Sequence, residues 1–443
     1  MVSAAEQLAA NLNFSAFAKA DELKKRIWFT LGALLVYRLG TYIPLPGIDP
    51  TVWQKVFNSQ AGGILGMFNM FSGGGIDRMA IFALNIMPYI SASIILQLLT
   101  SVSPKLEALK KEGEAGRKII NQYTRYLTVV LAFFQSYGIA VGLQGAGNVV
   151  TNPGMFFLIS TAITLTGGTM FLMWLGEQIT SRGIGNGISL IIMAGIVAEL
   201  PSALANMLEL GRQGALSTGI ILIVLIMVVA VIAFIVFMER AQRRLLIQYP
   251  KRQVGNKMFE GQSSHLPLKL NTSGVIPPIF ASSLLLLPTT VANFNAGKGP
   301  EWFQWVTTQL GHGRPLFLIL YLALIVFFTF FYTAIVFNPT ETADNLKKHG
   351  GFIPGIRPGE RTAEYIDYVL SRITVPGAIY LAVVCLIPEI LISYAAVPFY
   401  FGGTSLLIVV SVTMDTVSQV QGYLLAHQYE GLIKKSKLRG RRR

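Results

Sequence analysis

The segment GIILIVLIMVVAVIAFIVFM, residues 219–238, decides the class of fold. It contains no charged side chain, and a helix of about 20 residues covers the roughly 30 Å apolar core of a bilayer. Arg240, Arg243 and Arg244 follow it directly. Basic residues beside an apolar run are typical of the cytoplasmic end of a transmembrane helix. The segment therefore predicts a membrane span.

The composition of the whole chain agrees with this segment. Of 443 residues, 52% are hydrophobic and 13% are charged, whereas soluble proteins carry about 25% charged residues. Because so few charges cannot cover a soluble protein of this size, much of the apolar surface must face lipid. We predict an all-α polytopic membrane protein. Its ten predicted spans are residues 27–43, 79–102, 122–142, 155–175, 184–204, 219–238, 274–292, 316–337, 373–392 and 400–421.

The distribution of basic residues predicts the orientation of these spans. The chain has 36 Lys and Arg residues against 22 Asp and Glu, a net charge of +14. Ten spans divide the 36 into 30 on one face and six on the other. Basic loops stay in the cytoplasm, so both termini are predicted to be cytoplasmic. The six external residues are Arg38, Lys55, Arg78, Arg212, Lys298 and Arg314.

The span count also predicts the internal organisation. An N-terminal segment, 1–26, precedes a first half, 27–210, and a second half, 211–421, precedes a basic tail, 422–443. Five spans in each half force the halves into opposite orientations, as in an inverted repeat with a pathway between its halves. No repeat is visible residue by residue, so ten unrelated spans are the alternative.

The spans lack the side chains that several functions need. Ion-coupled transporters and proton pumps place ionisable residues at mid-membrane, but Glu177, Glu389 and Asp415 lie near span ends. No phosphate-binding loop or hydrolase motif occurs, and Cys385 is the single cysteine, so we expect no cofactor, metal or disulfide. The chain therefore has no energy source of its own, so a partner must drive anything that it moves.

Four segments between spans have informative compositions. AGGILGMFNMFSGGG, residues 61–75, is apolar but too short to cross, which predicts a re-entrant half-helix or a helix lying on the membrane surface. RGIGNGIS, residues 182–189, predicts a tight turn between helices, with ligand binding as the alternative. Loops 239–273 and 338–372 are long and carry basic clusters, which predict partner docking unless they only set topology.

These segments together resemble the SecY family of protein-conducting channel subunits along nearly the whole chain. The resemblance is weakest in the first twenty residues, at the loop tip 254–259 and in the external loops. The matching stretches are PLPGID (44–49), MFNMFSGG (67–74), MPYISASIILQLLT (87–100), KKEGEAGRK (110–118), QYTRYLT (122–128), GTMFLMWLGEQIT (168–180), RGIGNGIS (182–189), SHLPLK (264–269), FNPTETADNLKK (337–348), PGIRPGE (354–360) and YFGGTSLLIVV (400–410).

The resemblance implies a non-enzymatic conduit for unfolded proteins, with a secondary transporter and a membrane-embedded hydrolase as the alternatives. It also implies an hourglass pore between two inverted halves that can open sideways to lipid. It identifies residues 61–75 as a plug that closes the external side. It also implies an apolar constriction, for which stiff β-branched side chains are suited. Isoleucines four apart share a helix face, although that spacing alone is typical of packing or lipid contact. The implied plug residues are Gly63, Ile64, Met67, Phe68 and Phe71, and the ring residues are Ile86, Ile90, Ile188, Ile192, Ile279 and Ile408.

The resemblance further implies a lateral gate and a docking surface. Ser91, Gln135 and Asn271 match the polar cluster of the gate, with ordinary interhelical packing as the alternative. The implied partners are the small membrane subunits SecE and SecG, the SecA motor, the ribosome, signal-bearing polypeptides and anionic lipids, in a bacterial plasma membrane. The implied docking residues are Arg243, Arg244, Arg252, Lys347, Lys348 and Arg357.

Overall fold

The computed structural model describes residues 20–60, 69–145, 149–214, 217–250, 252–254, 257–259, 263–294, 305, 309, 314–395 and 403–440. These residues are mostly helical, with two small sheets. The helices are α1 (Asp21–Gly40), α2 (Pro50–Gln60), α3 (Met87–Val102), α4 (Pro104–Lys111), α5 (Glu114–Gly145), α6 (Met155–Arg182), α7 (Gly187–Arg212), α8 (Thr218–Arg240), α9 (Ile276–Phe294), α10 (Pro315–Val336), α11 (Pro339–Lys348), α12 (Glu360–Ala395) and α13 (Gly403–Gly440).

Each of the ten predicted spans overlaps a helix, namely α1, α3, α5 to α10, α12 and α13. Within the described ranges, seven helices are long and apolar enough to cross a membrane by length and composition. Helix α3 and the segment Ile276–Leu285 of α9 are apolar but shorter. Several helices extend well beyond the predicted spans; α12, for example, begins at Glu360 instead of residue 373.

The predicted start of the second span is wrong. Helix α3 begins at Met87, and residues 73–86 form successive turns where we predicted a helix from residue 79. Met79 and Asn85 adopt positive φ angles of 46° and 49°, which helices do not contain. The apolar pattern of residues 79–86 could not show this, because buried turns and buried helices are equally apolar.

The chain forms two compact units. The first contains the described residues of Met1–Ala205, Thr290–Gln304 and Val412–Arg443, and the second those of Asn206–Thr289 and Trp305–Ser411. In the first unit, a core beneath α2 joins Trp53 and Phe57 to Leu84 and Leu165. Asp49 precedes α2 and its carboxylate accepts from the Thr51 hydroxyl and backbone nitrogen, which lowers the pKa of Asp49.

The two sheets of the second unit lie between α8 and α9 in sequence. Strand β1 (Gln242–Gln248) pairs antiparallel with β4 (Ser263–Lys269), and β2 (Arg252–Val254) pairs with β3 (Lys257–Phe259). Leu245 and Leu268 of the larger hairpin pack against the start of α12. This burial explains why a segment that we predicted only as a loop has regular structure.

Candidate functional site

The four isoleucines that we assigned to the ring in the first unit lie on two elements. Ile86 occupies the residue before α3 and Ile90 its first turn, and both are buried. Ile192 on α7 is also buried, whereas Ile188 is half-buried. A Cβ placed on Gly176 of α6 would lie 3.1 Å from Cγ1 of Ile188, so this side chain packs towards α6. These positions face protein more than lipid.

The remaining two ring residues belong to the second unit. Ile279 lies in the first turn of α9 and is half-buried, and Ile408 lies on α13 and is fully buried. None of the six is among the exposed large hydrophobic residues, which include Ile159, Ile223 and Ile319 on other helices. Burial therefore separates the assigned isoleucines from those expected to contact lipid.

Of the five assigned plug residues, Gly63, Ile64, Met67 and Phe68 lie outside the described residues. Phe71 is buried and belongs to a helical turn, residues 69–72. The turn ends in a paired hydrogen-bond pattern: Gly74 N donates to Asn69 O, and Gly73 N donates to Met70 O. Gly73 has a φ of +64°, as expected for the glycine that terminates a helix in this motif.

Three consecutive carbonyls at the end of this turn accept side-chain hydrogen bonds. The Asn85 side-chain nitrogen donates to Phe71 O. The Tyr37 hydroxyl donates to Ser72 O at 3.2 Å, and Arg38 Nη1 donates to Gly73 O. We call these three side chains and three carbonyls the carbonyl anchor. Arg38, which we predicted on the external face, thus binds this backbone through its guanidinium.

Helix α7 contacts the same turn through a glycine. A Cβ on Gly195 would lie 2.8 Å from Phe71 O and 2.9 Å from the Tyr37 hydroxyl, so only glycine allows this approach. On the other side, the Tyr42 ring lies 5.0 Å from the Arg38 guanidinium and 4.2 Å from that of Arg78. The turn at residues 69–73 is therefore enclosed by α1, α7 and residues 78–85.

The residues after the turn are fixed by α2 and the chain before it. Trp53 Nε1 donates to Ile76 O at 2.7 Å, and Leu45 N donates to Met79 O at 2.9 Å. Asp77 N donates to Asn69 Oδ1 at 2.8 Å. Burial raises the pKa of Asp77, and the charge of Arg78 partly offsets that effect.

The three polar residues assigned to the lateral gate occupy both units. Ser91 on α3 is buried and Gln135 on α5 is half-buried. Asn271 precedes α9 and is buried, and its side-chain nitrogen donates to Glu239 Oε1 at 2.7 Å and to Gly274 O at 3.1 Å. Ser273 donates to Asn271 Oδ1 at 3.0 Å. In the second unit, Asn271 thus pairs with the end of α8.

The segment RGIGNGIS forms the tight turn that we predicted. It joins α6 to α7, and side-chain oxygens accept from its backbone N–H groups. Thr30 Oγ1 accepts from Ile184 N at 3.1 Å, and Gln419 Oε1 accepts from Gly185 N at 3.0 Å. Thr180 Oγ1 accepts from Gly187 N at 2.9 Å. We call residues 182–187 the glycine turn.

The two long loops form one module in the second unit. Gln248 of β1 and Phe352 exchange two backbone hydrogen bonds of 2.9 and 3.0 Å. Ile353 and Ile366 join the apolar cluster of the hairpin. We call residues 242–269 and 339–373 the loop module. Its construction brings two surfaces that are distant in sequence onto one folded unit.

The basic residues assigned to docking lie on this module. Arg243 and Arg244 on β1 are exposed, as are Lys347 and Lys348 at the end of α11 and Arg357 in the following tip. The backbone of Arg252 forms part of β2. A Cβ on Gly359 would lie 3.8 Å from Lys347 Nζ, so this lysine lies beside the tip.

Sequence reasoning missed several of these residues. Tyr37, Asn85, Gly195 and Glu239 were not assigned to any site. Tyr37 and Ser72 are 35 positions apart, and no sequence pattern links them. The signals that were available are weak: an asparagine in the apolar stretch before α3, and a glutamate at the end of α8.

The fold matches that of solved membrane channels. A structure described as a protein-conducting channel aligns with a TM-score of 0.67 and 17% identity, covering 91% of this chain and 93% of that one. A SecY structure, described as having a plug domain that stabilises the closed channel and maintains a membrane seal, aligns equally well at 18% identity. Canine Sec61, from a ribosome–channel complex, aligns with a TM-score of 0.62, 16% identity and the same coverage. The fold is that of the protein-conducting channels.

The sequence comparisons define the family. A SecY family profile matches residues 80–417. The protein translocase subunit SecY of Escherichia coli strain K12 is 57% identical over 430 residues, which cover 96% of this chain and 97% of that protein. The SecY subunit of Rickettsia bellii is 56% identical over 433 residues, covering 97% of this chain and 100% of that protein. The chain belongs to the SecY family of protein translocase subunits, and it is a channel subunit rather than an enzyme.

Proposed function

We propose that this chain is the central subunit of a channel that passes unfolded secretory proteins across a bacterial plasma membrane and releases membrane proteins sideways into lipid. The observation that carries the proposal is the 57% identity to protein translocase subunits over nearly the whole chain. The pore is passive, and a motor or a translating ribosome supplies the energy. The small number of ionisable residues in the spans supports a conduit over an ion-coupled transporter.

Two layers close the resting pore in this proposal. Ile86, Ile90, Ile188, Ile192, Ile279 and Ile408 form an apolar ring, and residues 61–75 form a plug on the external side. A hydrated ion must lose water or wet the ring to cross it, so an apolar constriction blocks ions. The burial of Ile86, Ile90, Ile192 and Ile408 supports this role, because lipid-facing isoleucines are exposed.

The lateral gate consists of Ser91, Gln135 and Asn271 in this proposal. Hydrogen bonds between polar side chains in membranes contribute roughly 0.6 to 2 kcal/mol, which is suitable for a reversible contact. Asn271 also donates to Glu239, so Glu239 competes with Ser91 and Gln135 for the side chain of Asn271. Gate opening would therefore be favoured when Asn271 pairs with Glu239.

The loop module is the docking surface for the partners. Exposed arginines bind phosphate and carboxylate groups through bidentate hydrogen bonds, which suits ribosomal RNA and the acidic surface of a motor. The likeness to Sec61 in a ribosome–channel complex supports ribosome docking. SecE, SecG and SecA are the remaining protein partners, and the basic tail, 422–443, lies near anionic lipid. Signal-bearing polypeptides are the substrate.

The 30-to-six division of basic residues supports cytoplasmic termini and a cytoplasmic loop module. Single cysteines test this orientation in a Cys385→Ala background. Arg244→Cys and Lys348→Cys should resist an impermeant thiol reagent added to intact cells, whereas Lys55→Cys should react. Labelling of either module cysteine from outside would reverse the topology.

Ion conductance tests the closure of the pore. Ile90→Ser, Ile192→Ser and Ile408→Ser together should raise single-channel conductance in planar bilayers without substrate, because the ring becomes wettable. Ile159→Ser, Ile223→Ser and Ile319→Ser make the same chemical change at exposed positions and should leave conductance at baseline. Equal conductance of the two triple variants would show that these isoleucines do not close the pore.

A further inference from the structure

The helical turn at residues 69–72 ends with carbonyls that its own backbone leaves unpaired. The last four carbonyls of any helix lack partners within the helix. Here the two terminal backbone bonds use Asn69 O and Met70 O, which leaves the carbonyls of Phe71 and Ser72. A buried acceptor without a donor is costly, so side chains from elsewhere must supply donors.

Those donors come from two elements outside the turn. Tyr37 and Arg38 lie on α1, and Asn85 lies in the turns before α3, where it adopts a positive φ of 49°. Together they pair the carbonyls of three successive residues, 71 to 73. Tyr37 and Asn85 are almost completely buried. The positive charge of Arg38 also lies at a helix C-terminus, where the dipole favours a cation.

The end of the turn can leave this position only by losing these bonds. Residues 76 to 81 have further bonds of their own, through Trp53 Nε1 to Ile76 O and Ile81 N to Ile43 O. Gly73, whose carbonyl is the last of the three, and Gly74 both have positive φ. A rotation at this glycine pair would move residues 69–72 away from residues 76–81 once the bonds from Ile76 N to Ser72 Oγ and from Asp77 N to Asn69 Oδ1 are also lost.

We propose that Tyr37, Arg38 and Asn85 are positioning residues that keep the base of the plug in its resting position by binding the carbonyls of residues 71–73. This inference rests on the proposed role of residues 61–75 as a plug. The carbonyl anchor sets the energy of plug release independently of the isoleucine ring. It is a backbone contact, so it tolerates changes in the plug side chains while it depends on the three donors.

The test combines donor variants with removal of the plug. Tyr37→Phe keeps the ring and removes one hydrogen bond, and Arg38→Gln shortens and neutralises a second donor. Each should raise resting conductance in planar bilayers about fivefold or more, because leaving one buried acceptor unpaired shifts the equilibrium towards plug release by about that factor. Tyr126→Phe on the exposed face of α5 and Arg212→Gln at the exposed end of α7 are matched controls and should leave conductance unchanged.

Deletion of residues 62–75 separates the anchor from the plug proposal. The deletion should raise conductance, and Tyr37→Phe should add nothing to it because the bonded carbonyls are gone. If the deletion has no effect, the plug proposal fails. If the deletion raises conductance but the donor variants do not, or if they add to the deletion, the carbonyl anchor is wrong.

A chemical measurement distinguishes release from misfolding. Ser72 is buried, so Ser72→Cys in the Cys385→Ala background should react slowly with a soluble maleimide. Adding Tyr37→Phe should accelerate that reaction about fivefold while the elution profile in detergent stays monodisperse. An unchanged rate in folded protein would overturn the inference.

Discussion

The carbonyl anchor and the glycine turn differ in which buried backbone groups their side-chain partners bind. In the anchor, a helix ends and side-chain donors from Tyr37, Arg38 and Asn85 pair its carbonyls. In the turn between α6 and α7, side-chain oxygens of Thr30 and Gln419 accept from the N–H groups of Ile184 and Gly185, and Arg26 Nη1 donates to Gly183 O at 3.3 Å. Both segments are rich in glycine, yet side chains pair three carbonyls in the anchor and mainly N–H groups in the glycine turn.

The difference teaches how polar backbone is accommodated within a membrane protein. Helix ends leave carbonyls at one end and N–H groups at the other, and burial makes either expensive. The glycine turn also packs through Ile184 against Leu23 and Leu424. Apolar packing reinforces the anchor as well, because Phe71 is buried and the Tyr37 ring stacks on the Phe82 ring with 6.4 Å between their centres.

The largest expected effect comes from closing the space beside the anchor. Gly195→Val places methyl groups where even a Cβ would lie 2.8 Å from Phe71 O. Overpacking costs about 1 to 3 kcal/mol or more, so the melting temperature in detergent should fall by several degrees. Gly167→Val on α6 adds the same side chain where no atom lies within 4 Å of a Cβ and is the control. Equal melting of both variants would contradict the close approach.

A smaller effect is expected at the glycine turn. Thr30→Val keeps the shape of the side chain but removes the acceptor for Ile184 N, at a cost of about 1 to 3 kcal/mol. Hydrogen exchange followed by mass spectrometry should show faster exchange in the peptide that contains residues 182–188. Thr164→Val, which removes only a bond to Ser160 O within α6, is the control. Unaltered exchange in Thr30→Val would show that apolar packing alone fixes the turn.

The smallest effect is expected from a surface ion pair. Arg125 on α5 and Glu177 on α6 form a bidentate pair with distances of 2.8 to 3.0 Å, but both side chains are partly exposed. Exposed pairs contribute about 0 to 1 kcal/mol, so Arg125→Met should change the melting temperature in detergent by no more than a few degrees. The difference from the unmodified protein should shrink in high salt. A loss as large as that of Gly195→Val would reverse this order.

The sequence predicted the helical class and a helix within each of the ten predicted spans, because membrane thickness imposes a length and an apolar composition that a single segment shows. It also predicted the turn at residues 182–189, because glycines between two apolar runs indicate a break. It failed at residues 79–86, where buried turns have the composition of a helix. Asn85 illustrates the reason: its positive φ serves a contact with Phe71, 14 positions away.

The amino-acid sequence by itself determined that this protein crosses a membrane, where its basic residues concentrate and which family it resembles, since these properties are carried by local composition and by continuous motifs. Only the tertiary structure decided which side chains satisfy the buried backbone. Tyr37 and Ser72 are 35 positions apart, Thr30 and Ile184 are 154 apart, and Gly185 and Gln419 are 234 apart. Hydrogen bonds act over about 3 Å, so such partners are selected by the packing of helices and leave no periodic signal along the chain.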